Sequence, residues 1–306
     1  MTKLEWCKQN APEAIQELPD VELVELMESS WKRFSESANT DEEFESVEYE
    51  KNDINTQLDY MVLELSREFG DKLAFKGGYM LTKLMSGYAR QTTDIDFSIL
   101  TDEIYTEIKR KLLMIAKHFA DDGIIDSFTL KETIQPTMSG GIDFYKDGKK
   151  ILGVDVGWHD VTYGTKKIKL DVGEVTAFEV ERMLADKITA ILSRKRFRRP
   201  KDIYDLFCIT ECFDLDTKKV KEYILRRTDG ADADWQNFPF NEDVIREYKR
   251  AYEKLVLNSI YKDVNLSKPD FNVVMERFNT IALSVQKPER YPTSIWNCST
   301  KSFNFK

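Results

Sequence analysis

Apolar positions along this chain recur with two different periods, and the switch between them divides it. Up to residue 70 the spacing is helical: Val21, Leu23, Val24, Leu26 and Met27 lie on one stripe, and Leu58, Met61, Val62 and Leu65 on another. Between them, residues 41–53 are strongly acidic and read as a solvated loop or helix edge. Leu73-Ala74-Phe75 is then a short apolar run that ends in Gly77-Gly78 and leads into Leu81, Leu84 and Met85 at helical spacing. That order predicts a strand, a tight turn and a helix start. The period drops to two over Asp94-Ile95-Asp96-Phe97-Ser98-Ile99, so Ile95, Phe97 and Ile99 share one strand face and Asp94, Asp96 and Ser98 the other.

Thr101-Asp102-Glu103 supplies a cap and early acids for a helix through Ile104, Ile108, Leu112, Ile115 and Phe119, which Asp121-Asp122-Gly123 ends. A meander is predicted over 125–134, 141–146 and 150–158, with Lys146-Asp147-Gly148 as its hairpin turn, and a further strand over 166–172. From about Val180 the chain reads mainly helical, with loops near 229–240 and 262–270, and the pattern after Pro288 predicts no element. The expected fold is α+β: a small mixed sheet with flanking helices, and a mainly helical C-terminal lobe. The division falls between 1–175 and 176–306, with a cleft between the lobes.

Composition narrows the chemistry. The net charge of −9 excludes a global basic field, so binding to nucleic acid needs a local patch. The cysteines are Cys7, Cys208, Cys212 and Cys298; Cys208 and Cys212 stand one helical turn apart, a core spacing, and no Cys-x-x-Cys or His-rich tract signals zinc. With His118 and His159 the only histidines, a Ser-His-Asp or Cys-His mechanism has little material. The cysteine usage makes a reduced, cytoplasmic setting the expectation, and the amino terminus has no long apolar run, so neither a signal peptide nor a membrane anchor is expected.

The candidate chemistry centres on residues 75–100. Two carboxylates two positions apart on a strand sit roughly 6.5–7 Å apart at Cα, close enough for their oxygens to converge on a divalent cation. Without a cation the pair repels; a solvated strand edge bearing two acids is the competing reading. Backbone N–H groups at the Gly77-Gly78 turn favour a phosphate, and a plain structural turn is the alternative. Together, a phosphate cradle and a nearby Asp-x-Asp suggest a nucleoside triphosphate with its metals. A third carboxylate is then expected on a neighbouring strand. Asp155 is favoured, because Gly153 and Gly157 share its face and leave room for a ligand; Asp171, flanked by Lys167 and Lys169, resembles a solvated edge strand, and Asp143 is a more remote candidate.

Farther on, Leu184, Ile188, Ile191 and Leu192 form the stripe of a helix, with Lys187 beside it, either snorkelling to solvent or held against an anion. Lys187 to Lys201 holds seven basic residues and no acid, a site for polyphosphate or RNA backbone, or a solvated helix end. Pro200 suits the first turn of a new helix, on which Asp202 and Asp205 share a face. Asp202 could orient Lys187 or the nucleotide, and Asp205 could pair with an arginine. Arg90 could reach a phosphate or hold the acids; Lys76 and Lys83 read as solvated; His159 reads as incidental. Tyr291 and Trp296 suggest a tail packed on the body.

Gly77-Gly78-x-x-Leu81, then Arg90-x-Thr-x-Asp94-Ile95-Asp96, resembles the nucleotidyltransferase superfamily, and more narrowly the AbiEii/AbiGii toxins of abortive-infection and toxin–antitoxin systems. Ala185-Asp186-Lys187 and Lys201-Asp202-x-Tyr204-Asp205-Leu206 extend the resemblance to about residue 210. Gly77-Gly78, followed by Tyr79, stands where other branches carry Gly-Ser, so one hydroxyl toward the phosphate is missing. The resemblance implies Asp94, Asp96 and Asp155 as Mg²⁺ ligands, with Asp155 also helping to deprotonate the attacking hydroxyl. It implies Gly77, Gly78, Arg90 and Lys187 around an NTP, and Lys187 and Asp202 in the catalytic set. It further implies an RNA acceptor, such as a tRNA end, and a separately encoded antitoxin. Transfer to a protein or a small molecule such as an antibiotic, and nucleotide binding without turnover, stay open at this point.

Overall fold

A computed structural model describes residues 8, 54–85, 88–90, 92–99, 105–131, 139–157, 163–171, 173–193, 200–226, 235–256 and 269–303. The stripe at 21–27, the acidic stretch 41–53, the cap at 101–103, His159 and the basic run 194–199 lie outside them. Helix α1 spans Ile54–Phe69, strand β1 Leu73–Lys76, helix α2 Gly77–Met85, strand β2 Asp94–Ile99 and helix α3 Tyr105–Asp121. The meander follows as β3 (Ser127–Lys131), β4 (Ser139–Lys146) and β5 (Lys149–Gly157), then β6 (Thr165–Leu170) and β7 (Gly173–Phe178). The β4–β5 turn places Asp147 at φ 51° and Gly148 at φ 69°, the left-handed pair that Asp-Gly accommodates in a two-residue hairpin. Helices α4 (Val180–Leu192) and α5 (Pro200–Cys212) come next, then β8 (Leu215–Asp216), α6 (Thr217–Leu225), α7 (Glu242–Val256), α8 (Phe271–Gln286) and β9 (Ile295–Trp296).

The seven-stranded sheet runs β3-β4-β5-β2-β1-β7-β6 and is mixed: β2 is parallel to β5 and β1 to β7, while β1 and β2 are antiparallel. One face is apolar. Ile95, Phe97, Ile142, Phe144, Leu152 and Val154 are fully buried there, with Phe69 of α1 against Phe97 and Phe119 of α3 against Phe144. Removing each such phenylalanine from water contributes roughly 1.5–3 kcal/mol, which fixes the register of the sheet and therefore what the opposite face presents. As expected of a lysine-bearing edge, β6 ends the sheet, with Lys166, Lys167 and Lys169 exposed.

The C-terminal helices gather round α5, which packs against α4, α7, α8 and also α2. The tail returns to this group: β9 pairs antiparallel with β8, and the buried Trp296 donates from Nε1 to the Thr210 carbonyl at 2.9 Å. No described helix is long and apolar enough to cross a membrane.

Candidate active site

The face opposite the phenylalanines carries the acids. β2 and β5 are paired so that Asp96 stands directly beside Asp155, and Asp94 beside Gly153. The β4–β5 register adds Asp143 beside Gly153 and Gly141 beside Asp155. Adjacent strands lie about 4.8 Å apart, so Asp94, Asp96, Asp143 and Asp155 occupy one small patch. Lys76 of β1 is paired with Asp96 and completes that row.

Helix α2 begins against this patch. Gly77 has φ +70°, and a Cβ there would stand 2.2 Å from Asp96 Oδ2, so only glycine lets the turn sit on the carboxylate. A Cβ on Gly78 would meet Thr92 Oγ1 at 3.1 Å and Arg90 Nη2 at 3.3 Å. Thr82 Oγ1 donates to the carbonyls of Gly78 and Arg90, tying the helix start to the loop ahead of β2. Burial raises the Asp96 pKa, the neighbouring Asp155 charge raises it further, and Lys76, Lys187 and Lys201 pull it back.

Two lysines thread the other acids. Lys150 Nζ lies 2.9 Å from both Asp94 Oδ1 and Asp143 Oδ1; Lys131 Nζ lies 3.0 Å from Asp143 Oδ1 and 2.7 Å from Asp155 Oδ1. Burial alone would lower the Lys150 and Lys131 pKa values and raise that of Asp143. The ion pairs outweigh it, raising both lysines and lowering the acid. These pairings draw Asp94 and Asp155 toward ammonium groups, and among the described residues no three acidic, histidine or cysteine side chains converge into an ion-holding group. Asp94, Asp96 and Asp155 therefore share a face as the sequence predicts, but they do not meet around one point. Lys131 and Lys150 were missed, and Asp143, the more remote candidate, joins the patch as well. Asp143 follows Gly140-Gly141, the same small-residue signal that singled out Asp155. The lysines carried no signal, because their reach depends on the order of the strands.

The acid patch still fits a hard divalent cation. Its donors are carboxylate oxygens, the type that Mg²⁺ or Mn²⁺ takes. Gly153 keeps a cradle open among them: a Cβ there would lie 2.3 Å from Asp94 Oδ1, 2.8 Å from Lys150 Nζ and 3.0 Å from Asp143 Oδ1.

Behind the patch lies a buried network. Lys187 Nζ donates to Asp202 Oδ1 at 2.8 Å and to Asp205 Oδ2 at 2.7 Å; Arg90 donates from Nε to Asp205 Oδ1 at 3.0 Å and from Nη2 to Oδ2 at 3.3 Å. All four side chains are buried. Burial would lower the Lys187 pKa and raise that of Asp205, but the opposite charges win: Lys187 is raised, and Arg90 and Lys187 hold Asp205 low. Lys187 is thus held by acids rather than snorkelling to solvent, and Asp202 and Asp205 do share a helix face. Arg90 pairs with Asp205. Lys83 also differs from the solvated residue expected: it bonds Asp59 at 2.6 Å, which also accepts from the Tyr79 hydroxyl.

A family model described as "Nucleotidyl transferase AbiEii toxin, Type IV TA system" matches residues 64–277. No curated protein matches the chain. Among solved structures, similarity is found to JHP933 from Helicobacter pylori (14% identity, 80% of this chain and 96% of that one, TM-score 0.43). It extends to an antigenic nucleotidyltransferase-like protein from Paracoccidioides brasiliensis (18% identity, 69% and 93%, TM-score 0.34) and to the Megavirus polyadenylate synthase (15% identity, 61% and 37%, TM-score 0.38).

Proposed function

The chain belongs to the AbiEii nucleotidyl transferase toxin family of type IV toxin–antitoxin systems, and from that premise we propose that it transfers a nucleotide from an NTP to an RNA acceptor, the end of a tRNA. A separately encoded antitoxin would neutralise it, and both would work in the cytoplasm. The observation that carries this reading is the contact between the Gly77 turn and the Asp96 carboxylate, since a phosphate held by the turn lies against the acids.

In this reading the N–H groups of the Gly77-Gly78 turn would hold the triphosphate, and Asp94, Asp96 and Asp155 would hold Mg²⁺. Magnesium, when bound, supplies Lewis-acid polarisation of the α-phosphate and neutralises developing charge on the leaving group. The acceptor hydroxyl attacks the α-phosphorus in line; its O–P bond forms as the bond to the bridging oxygen breaks, and pyrophosphate departs. Asp155, whose side chain is 48% exposed against 38% for Asp94, faces the arriving acceptor and takes the hydroxyl proton. Lys187 adds positive potential at Asp96 while Asp202 and Asp205 fix its ammonium. Arg90, through Asp205, holds the loop that positions β2 against the turn. A division into a nucleotidyltransferase lobe, 1–175, and a helical lobe, 176–306, gives the acids and turn to one and Lys187, Asp202 and Asp205 to the other. The basic residues between Lys187 and Lys201 would meet the RNA backbone.

Incubation with each α-labelled NTP, total tRNA and Mg²⁺ tests the reading. Label on tRNA is expected; label on a protein or small molecule would change the acceptor, and nucleotide bound but never transferred would refute the activity.

A further inference from the structure

The two lysines among the acids differ from Lys187 in one respect that decides their use. Lys187 is only 11% exposed and locked between two buried carboxylates, whereas Lys131 and Lys150 are 27% and 36% exposed and reach the acids from the open side of the sheet. Both converge on one atom, Asp143 Oδ1, from which Lys150 extends to Asp94 and Lys131 to Asp155. An unpaired patch of carboxylates would repel itself, and the chain supplies its own positive charge at the positions a divalent ion would fill. Ion pairs this exposed are weakly held and readily exchanged.

We propose that Lys131 and Lys150, anchored on Asp143, are positioning residues that serve as built-in counter-cations: they neutralise Asp94 and Asp155 in the ligand-free enzyme and are displaced from them when a divalent cation binds. The proposal rests on the assignment of these acids as metal ligands given above. Binding of ion and ammonium is then competitive, so the lysines set the concentration at which the ion enters. Asp143, absent from the expected ligand set, keeps the displaced ammonium groups beside the site.

Mn²⁺ binding without nucleotide, followed by the loss of the free-ion paramagnetic resonance signal, tests this on the full chain. Relative to wild type, the Lys131→Met/Lys150→Met double variant should bind Mn²⁺ about tenfold more tightly, the scale expected when competing charges a few Å away are removed in a partly solvated site. Its melting temperature without ion should fall and be restored by Mn²⁺ more than that of wild type. Lys150→Arg, which keeps the charge, should bind as wild type does, and so should Lys169→Met on the far edge strand. Equal or weaker binding by the double variant, with wild-type binding intact, would overturn the proposal and leave the metal assignment standing. Absence of binding in both proteins would overturn both.

Discussion

On the proposed reading, Asp96 is the residue at which stability and activity pull apart. Its pKa is raised, first by burial and then by the Asp155 charge. The sign follows: an acid whose folded-state pKa exceeds its unfolded value of about 3.9 loses stability as pH rises between the two, and the cost persists at neutral pH. Asp96→Asn should therefore raise the unfolding free energy of the ligand-free protein by about 1 kcal/mol while abolishing transfer. A variant that is destabilised instead would show that the carboxylate is satisfied by the fold. Gly153 makes the complementary case. Alanine there drives a Cβ into Asp94 Oδ1, so Gly153→Ala should leave a folded protein with transfer reduced on the order of a hundredfold, read as initial rates at saturating NTP. Both residues were legible in the sequence, Asp96 through the period-two pattern and Gly153 through its place beside Asp155. That Gly153 lies against Asp94 as well depends on the β2–β5 register, which no local pattern records.

Among elements, α4 and α5 are joined through Lys187. The helical stripe and the three-residue spacing of Asp202 and Asp205 were visible in the chain, but the buried network needs the crossing of two helices and the loop bearing Arg90. For that reason Arg90 and Lys187 could be narrowed only to a choice of partners. Lys187→Met would leave Asp202 and Asp205 buried with one cation fewer, and should destabilise the protein by about 3–5 kcal/mol in urea unfolding. Asp205, held low by Arg90 and Lys187, contributes stability that is present above about pH 4 and lost as pH falls through its folded-state pKa. Acid unfolding of Lys187→Met should therefore begin at higher pH than in wild type, and identical acid midpoints would contradict the network. The tail tells a similar story: its residues predicted no element, yet Trp296 is buried against α5, with Arg277 4.8 Å over its ring. Trp296→Ala should cost roughly 3–5 kcal/mol by the same measurement.

At the scale of the whole molecule, the sheet order places β5 beside β2 although four elements of the chain separate residue 155 from the turn at 77 and 78. Alternating apolar residues predicted the strands, and the phenylalanines behind them fix which acids face the turn. Lys131 and Lys150 escaped notice, and Asp143 stayed a remote candidate, because they join the patch only through the antiparallel β3-β4-β5 edge. On the proposed reading, Asp94, Asp96 and Asp155 act as one group on a nucleotide seated at the Gly77 turn. Single-turnover transfer from α-labelled NTP to tRNA, compared across Asp94→Asn, Asp96→Asn, Asp155→Asn and the triple variant, tests it most directly. Each single variant should lose at least about a thousandfold, and the triple variant little more, as expected of residues that work as a unit. A single variant retaining transfer within about tenfold of wild type, or losses that multiply through to the triple variant, would contradict it.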